Sequence, residues 1–402
     1  MNEIDDKKQI KQGFKNIVLL GLVSLFVDLS TEMVYPLVTI YLSTFASVAI
    51  IGVIEGLAES VAAILKSYSG YIGDKFSNKK ILAFIGYSSA IIYKILLFFS
   101  LGWVGILIAK LVDRIGKGIR TAPRDALVAE SGKKTLGKAF GLHKMLDMLG
   151  SALGIILAIV LYSLLVDSSS LTVDVSAFKT IFLISIIPAL LGIFCLIFVK
   201  ETKHAKNELQ KFSLKGIHLE KKLIFYLIVV FIFSIGNSSN AFLVLRVSDI
   251  GFTPIDVLKL YLVYNLTSSV VSYPLGKLSD KIPRRKLVIP AYILYAVVYL
   301  GIALFDTSVM LYILFAMYGV FQALIAGAEK AYVTENAPLG LKGTVLGLYG
   351  TAQGLGLLFA SFIAGAIWTY ISIEATFVFA AIMSLVAAIS LVFVFRMKSQ
   401  KE

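Results

Sequence analysis

The 402-residue chain is 58% hydrophobic and 16% charged, with a mean hydropathy of +0.86 and a formal net charge of +13. A soluble domain carries about 25% charged residues, so this composition excludes a soluble globular protein and fits an integral membrane protein. One cysteine (Cys195) in an apolar run and scattered histidines at His143, His204 and His218 exclude a disulfide framework and a metal cluster.

A membrane-crossing helix needs about 20 apolar residues. Twelve segments meet that length, near 15–40, 47–71, 80–101, 103–122, 139–165, 178–199, 222–246, 255–276, 287–305, 309–332, 343–369 and 373–396. The excess positive charge falls in alternate loops. One side holds Lys7, Lys8, Lys11 and Lys15, then Lys75, Lys79 and Lys80, then Lys133, Lys134 and Lys138, then the stretch 200–222, then 281–286, Lys342, Arg396 and Lys398. The loops on the other side are short and nearly uncharged. The positive-inside rule therefore predicts an inner-membrane protein with both termini in the cytoplasm, and it accounts for the basic charge without nucleic acid.

Taken in chain order, the spans divide into a charged group and a neutral group. Span 1 carries Asp28 and Glu32 one helical turn apart, and span 2 carries Glu55 and Glu59 in the same relation, so each pair shares a helix face. Lys94 falls in span 3, and Lys110, Asp113 and Arg114 fall in span 4. Asp113 beside Arg114 also reads as an internal structural pair, and Glu32 and Glu55 as partly wet groups near the outer end. Lys117 and Arg120 read as loop charge at the cytoplasmic edge. Span 5 adds Lys144 and Asp147. Ionisable groups at membrane depth are costly and are functional by default. Four carboxylates on two neighbouring helices cannot all stay ionised in a low dielectric. One that faces a cavity is a proton carrier, and Lys94, Lys110 and Arg114 supply the competing positive charge. Beyond the polar stretch 200–221, the later spans hold neutral groups suited to hydrogen bonding: Asn237 and Asn240 in span 7, Asn265 in span 8, Gln322 in span 10 and Gln353 in span 11. Glu329 and Lys330, at the inner end of span 10, fit a gate-level ion pair or a site equally.

The chain repeats itself. Gly70, Asp74, Lys75, Lys79 and Lys80 return 206 residues later as Gly276, Asp280, Lys281, Arg285 and Lys286, in each case between two apolar spans. At the same offset Gly137 and Gly141 return as Gly343 and Gly347, and Asp147 falls opposite Gln353. A six-span unit repeated in one orientation gives two halves related by an axis along the membrane normal, with the substrate path between them. The expected division is 1–199, a cytoplasmic linker over 200–221, and 222–402.

The spacing of Gly70, Asp74, Lys75, Lys79 and Lys80 resembles the loop 2–3 signature of the major facilitator superfamily, with Ser77 at the second glycine; the second copy has Pro283 there and keeps Arg284 and Arg285. Arg114, Gly118 and Ala122 resemble its span 4 signature, whose arginine is linked to proton coupling. The resemblance implies an all-α fold of twelve transmembrane helices in two pseudo-symmetric six-helix halves. It assigns gating to Gly70, Asp74, Lys75, Gly276, Asp280, Lys281 and Arg284. It also suggests similarity to proton-coupled exporters of drugs or metabolites. The span 5 stretch from Met148 to Gly154 lacks the proline of the antiporter signature.

The resulting expectation is a monomeric secondary transporter that exports a small polar or amphiphilic solute against protons. It uses no cofactor or metal and H⁺ as coupling ion. Proton coupling falls to Asp28, Glu32, Glu55, Glu59 and Arg114. Substrate binding falls to Asp28, Glu59, Lys94, Lys110, Asn237, Asn240, Asn265, Gln322 and Gln353. An uptake symporter is the alternative. A non-transporting sensor on the same fold would predict loss of the buried charges, which are retained. No phosphate loop, nucleophile elbow or metal cluster supports an enzyme.

Overall fold

The computed structural model describes residues 3–76, 79–131, 136–166, 174–200, 219–279, 282–337 and 342–397. Fifteen helices occur in order: α1 (Glu3–Glu32), α2 (Tyr35–Ser43), α3 (Val48–Phe76), α4 (Lys79–Phe99), α5 (Trp103–Ser131), α6 (Leu136–Leu165), α7 (Val175–Ile184), α8 (Ile186–Ile197), α9 (Lys221–Gly236), α10 (Ala241–Asp249), α11 (Pro254–Ser279), α12 (Arg285–Leu304), α13 (Ser308–Glu335), α14 (Lys342–Tyr370) and α15 (Ile373–Arg396). No β-strand occurs among the described residues. Three pairs are single rods broken in the middle (α1 with α2, α7 with α8, α9 with α10), so the fifteen helices make twelve rods. Ten of these carry an apolar stretch long enough to cross a membrane. The other two are α5, which is interrupted by Lys110, Asp113, Arg114, Lys117 and Arg120, and α11.

The breaks have identifiable causes and partners. Pro36 stands in the first turn of α2, where its missing N–H ends the bonding run of α1. Pro188 acts in the same way near the start of α8. The carbonyl of Ser185 at that break accepts a hydrogen bond from Ser30 of α1. The third break, at 237–240, contains no proline and is held open by tyrosines. Tyr295 donates to the Gly236 carbonyl at 3.0 Å, Tyr261 to the Asn240 carbonyl at 2.9 Å, and Tyr318 to the Asn240 side-chain oxygen at 2.7 Å. Non-helical backbone at membrane depth survives only where protein groups or a wet cavity satisfy it.

The rods form two groups of six. In the first, α1 packs on α6 and α8, and α5 packs on α3 and α4. In the second, α9 packs on α14 and α15, α12 on α13 and α15, and α11 on α13. Between the groups, α3 lies along α14, α6 along α11, and α2 meets α10 and α11. The α3–α14 seam is tight because it is built on glycine. A Cβ at Gly56 would sit 3.0 Å from the Leu358 carbonyl oxygen, and one at Gly52 would collide with the Ser361 carbonyl. Lipid tails give helices no hydrophobic drive to associate, so close backbone approach of this kind supplies the contact energy. The α2–α10 contact lies on the side opposite the termini and closes the molecule there.

Lys79 of α4 pairs with Glu130 of α5, and Arg284 before α12 pairs with Glu335 of α13 at 3.0 Å. The two pairs have the same 51-residue separation. Each ties the start of one rod to the end of the next within its own half, on the terminus side. Of the residues assigned to gating, Arg284 alone has a described side chain. Gly70, Asp74 and Lys75 are described only as backbone of α3, and Gly276 only as backbone of α11. Asp280 and Lys281 lie outside the described residues, as does nearly all of the 200–221 linker.

Candidate functional site: a cavity between the two halves

A cavity of about 280 Å³ lies between the two groups at the level of the broken rods. Its first wall is Asp28, Thr31 and Glu32 of α1, Tyr35 of α2, Glu59 of α3, and Asp113, Arg114, Lys117 and Arg120 of α5. The second wall is residues 237–240 at the α9–α10 break, Tyr261 and Tyr264 of α11, Tyr318 and Gln322 of α13, and Leu357 of α14. One wall is ionic and the other is neutral, phenolic and amide-rich.

On the ionic wall, Arg114 is the hub. Its guanidinium lies 2.9 Å from Glu59 and 3.6 Å from Asp113, and 6.0 Å from the centre of the Tyr35 ring. Asp113 uses one oxygen in this way; its Oδ1 is buried without a hydrogen-bond partner. Arg120 stacks 4.7 Å from the Tyr87 ring and donates to the Gly86 carbonyl at 3.3 Å. Asp28 faces the carboxyl of Asp147 on α6, which takes bonds from Ser24 and, at 2.8 Å, from Lys144. On the neutral wall, Gln322 donates to Tyr318 at 3.0 Å, and Tyr318 in turn donates to Asn240. The Tyr264 and Tyr318 rings lie 5.2 Å apart.

The cavity thus gathers Asp28, Glu32, Glu59, Arg114, Asn237, Asn240 and Gln322 from the residues expected by sequence. Five others do not line it. Lys94 is fully buried behind the ionic wall, donating to the Ala90 carbonyl at 3.1 Å. Lys110 is spent in a buried ion pair with Glu55, which is 0% exposed rather than partly wet near an end. Asn265 donates back to the Tyr261 carbonyl of its own helix at 2.9 Å. Gln353 joins a separate cluster in which Tyr292 and Tyr349 donate to Glu329 at 2.5 and 2.6 Å. Glu329 is therefore a buried centre of tyrosine bonds, and the side chain of Lys330 lies outside the described residues.

Lys117 and Arg120 correct the reading as loop charge. The helix α5 runs unbroken to Ser131, so both stand on it within two turns of Arg114. The spacing 110, 113, 114, 117 and 120 follows a helical face, and carrying that period past residue 114 finds them. Tyr261 and Tyr318 gave no such signal, because a tyrosine in an apolar span looks like packing until its hydroxyl partner is known.

Twelve rods in two like-oriented groups of six around a central polar cavity have the architecture of a membrane transporter. The sequence profile of the Major Facilitator Superfamily matches residues 20–359 and 224–402, and the chain belongs to that superfamily. It is 37% identical over 387 residues to an uncharacterized MFS-type transporter of Methanocaldococcus jannaschii, MJ1317, covering 94% of this chain and 95% of that one. Among solved structures it resembles a D-xylose–proton symporter, with 16% identity, a TM-score of 0.73 and coverage of 95% of this chain and 97% of that one. It also resembles a proton-dependent oligopeptide transporter, with 12% identity, a TM-score of 0.75 and coverage of 94% and 98%. At these identities the structural likenesses concern the fold alone. The protein is a multi-pass membrane transporter, not an enzyme.

Proposed function

We propose that the protein couples movement of a small polar or amphiphilic solute to protons, exporting it by antiport. The observation that carries this reading is the division of the cavity: Asp28, Glu32, Glu59 and Arg114 on one wall, amides and phenols on the other. The facing carboxyls of Asp28 and Asp147 at the cavity edge support this reading, since neighbouring carboxylates in a low dielectric favour sharing a proton. The Glu59–Arg114 pair gives a charged solute group something to displace. The tyrosines and Gln322 offer aromatic faces and hydrogen bonds that accommodate the rest of the solute. The basic loops favour a cell-membrane protein with cytoplasmic termini, and the α2–α10 contact then lies on the outside.

The test is transport in proteoliposomes under an imposed pH gradient, with a panel of small metabolites and amphiphilic drugs. Expected is solute movement with counter-movement of protons that Asp28→Asn and Glu59→Gln abolish. Proton movement that survives both substitutions overturns the coupling assignment. Movement of solute and proton in the same direction overturns antiport in favour of symport.

A further inference from the structure

We propose that the cavity takes a zwitterion, a small solute carrying an ammonium and an acid group on one apolar body, held between Glu32 and Lys117. The inference rests on the reading of this cavity as the solute site and not on the direction of coupling. The charges of the ionic wall divide into spent and open ones. Arg114 is held by Glu59 at 2.9 Å and by Asp113 at 3.6 Å. Arg120 lies on the Tyr87 ring and donates to the Gly86 carbonyl. Asp28 faces Asp147, whose own ion pair is with Lys144 at 2.8 Å. Glu32 and Lys117 remain. Both line the cavity, and among the described residues neither side chain has a hydrogen-bond or ion-pair partner.

The two open charges are opposite, yet they do not pair with each other. Glu32 ends α1, and Lys117 stands on α5 about one turn beyond Arg114. Lys117 is nonetheless the positive charge that acts most strongly on Glu32, so the two face the same space. An ionised group without a partner at membrane depth is costly. An amine bound alone would leave Lys117 open and add positive charge. An acid bound alone would leave Glu32 open and add negative charge. A zwitterion compensates both and changes the net charge of the cavity by nothing. Each end then makes a charge-assisted hydrogen bond, roughly twice as strong as a neutral one.

The aromatic groups decide which end goes where. The rings of Tyr35, Tyr261, Tyr264 and Tyr318 form a continuous arc along the cavity, with successive centres 6.4, 5.9 and 5.2 Å apart. The charge of Glu32 acts on Tyr261 and Tyr264, so this carboxylate faces the arc. Tyrosine faces attract cations, the more so where water is excluded. The ammonium therefore belongs at Glu32, the apolar body along the rings, and the acid group at Lys117.

The experiment is calorimetric titration of the full-length protein in lipid nanodiscs with four matched probes. Phenylalanine and its isomer para-(aminoethyl)benzoate carry both charges at two spacings. Phenethylamine carries the ammonium alone, and phenylpropionate the carboxylate alone. One of the two zwitterions should bind at least about tenfold more tightly than both single-charge probes. Glu32→Gln should bring that zwitterion down to the level of phenylpropionate, and Lys117→Gln should bring it down to the level of phenethylamine. A merely structural role for either residue would weaken all probes alike. That outcome, a failure of both zwitterions to bind, or a single-charge probe that binds as tightly as the better zwitterion overturns the assignment. If the selectivity holds but solute moves no protons in proteoliposomes, the zwitterion site stands and the coupling reading falls. If coupled flux of other solutes is found and the selectivity is missing, the zwitterion site alone falls.

Discussion

In the first half, the rod broken at residues 33–34 carries Asp28 and Glu32 and faces Glu59 and Arg114; in the second, the rod broken at 237–240 faces Tyr261, Tyr264, Tyr318 and Gln322. The two halves share a frame down to the equivalent ion pairs Lys79–Glu130 and Arg284–Glu335. They solve the cost of polar groups at membrane depth differently. The first half pairs charges with charges, and Pro36 forces its break. The second half needs no charge at its break, because tyrosines from neighbouring rods satisfy the freed carbonyls. Duplication thus preserved the frame while the chemistry of the two breaks diverged. On the proposed reading, the ionic half drives the cycle and the neutral half receives the solute.

That contrast can be broken by substitution. The largest effect is expected at Arg114. Arg114→Met leaves Glu59 and Asp113 as uncompensated neighbours, and breaking a buried pair from one side costs about 3–5 kcal/mol. Thermal unfolding in detergent should show a much lower transition, and transport should vanish; a variant of parental stability would show that Arg114 is not the hub of the ionic wall. Next is the glycine seam. Gly56→Val forces a side chain against the Leu358 carbonyl at a cost of about 1–3 kcal/mol. It should lower stability and slow exchange between conformations, whereas Ala at the lipid-exposed Val270 should do neither.

On the neutral wall, Tyr318→Phe removes the hydrogen bond to Asn240, worth about 0.5–1.5 kcal/mol, and the one accepted from Gln322, whose amide stays on the cavity wall where water can replace it. Apparent solute affinity should weaken by roughly three- to tenfold, with the proton-to-solute ratio unchanged. A changed ratio would mean that coupling is not confined to the ionic half. The smallest effect is expected for Arg284→Ala, since its partner Glu335 is 54% exposed and such pairs contribute about 0.2–1 kcal/mol. Comparing it with Lys79→Ala by thermal unfolding asks whether the equivalent pairs are also energetically equivalent; the more enclosed Lys79–Glu130 pair should be the costlier one to break.

The sequence alone determined the class of this protein. Long apolar runs can cross a membrane only as helices, so twelve runs, their alternating charge and the 206-residue repeat carried the fold into view. The helical spacing of Asp28 with Glu32 and Glu55 with Glu59 also flagged the ionic half, because charge at membrane depth stands out against an apolar background. What only the tertiary structure decided was which of these groups meet. Glu55 and Lys110 neutralise each other across two helices; Lys94 turns away behind the wall; Asp28 finds Asp147 from a helix far along the chain. The tyrosines of the neutral wall were hidden for the same reason. A hydroxyl's role is set by the partner that packing brings within about 3 Å, and residues such as Tyr35 and Ser239 come from rods 204 residues apart.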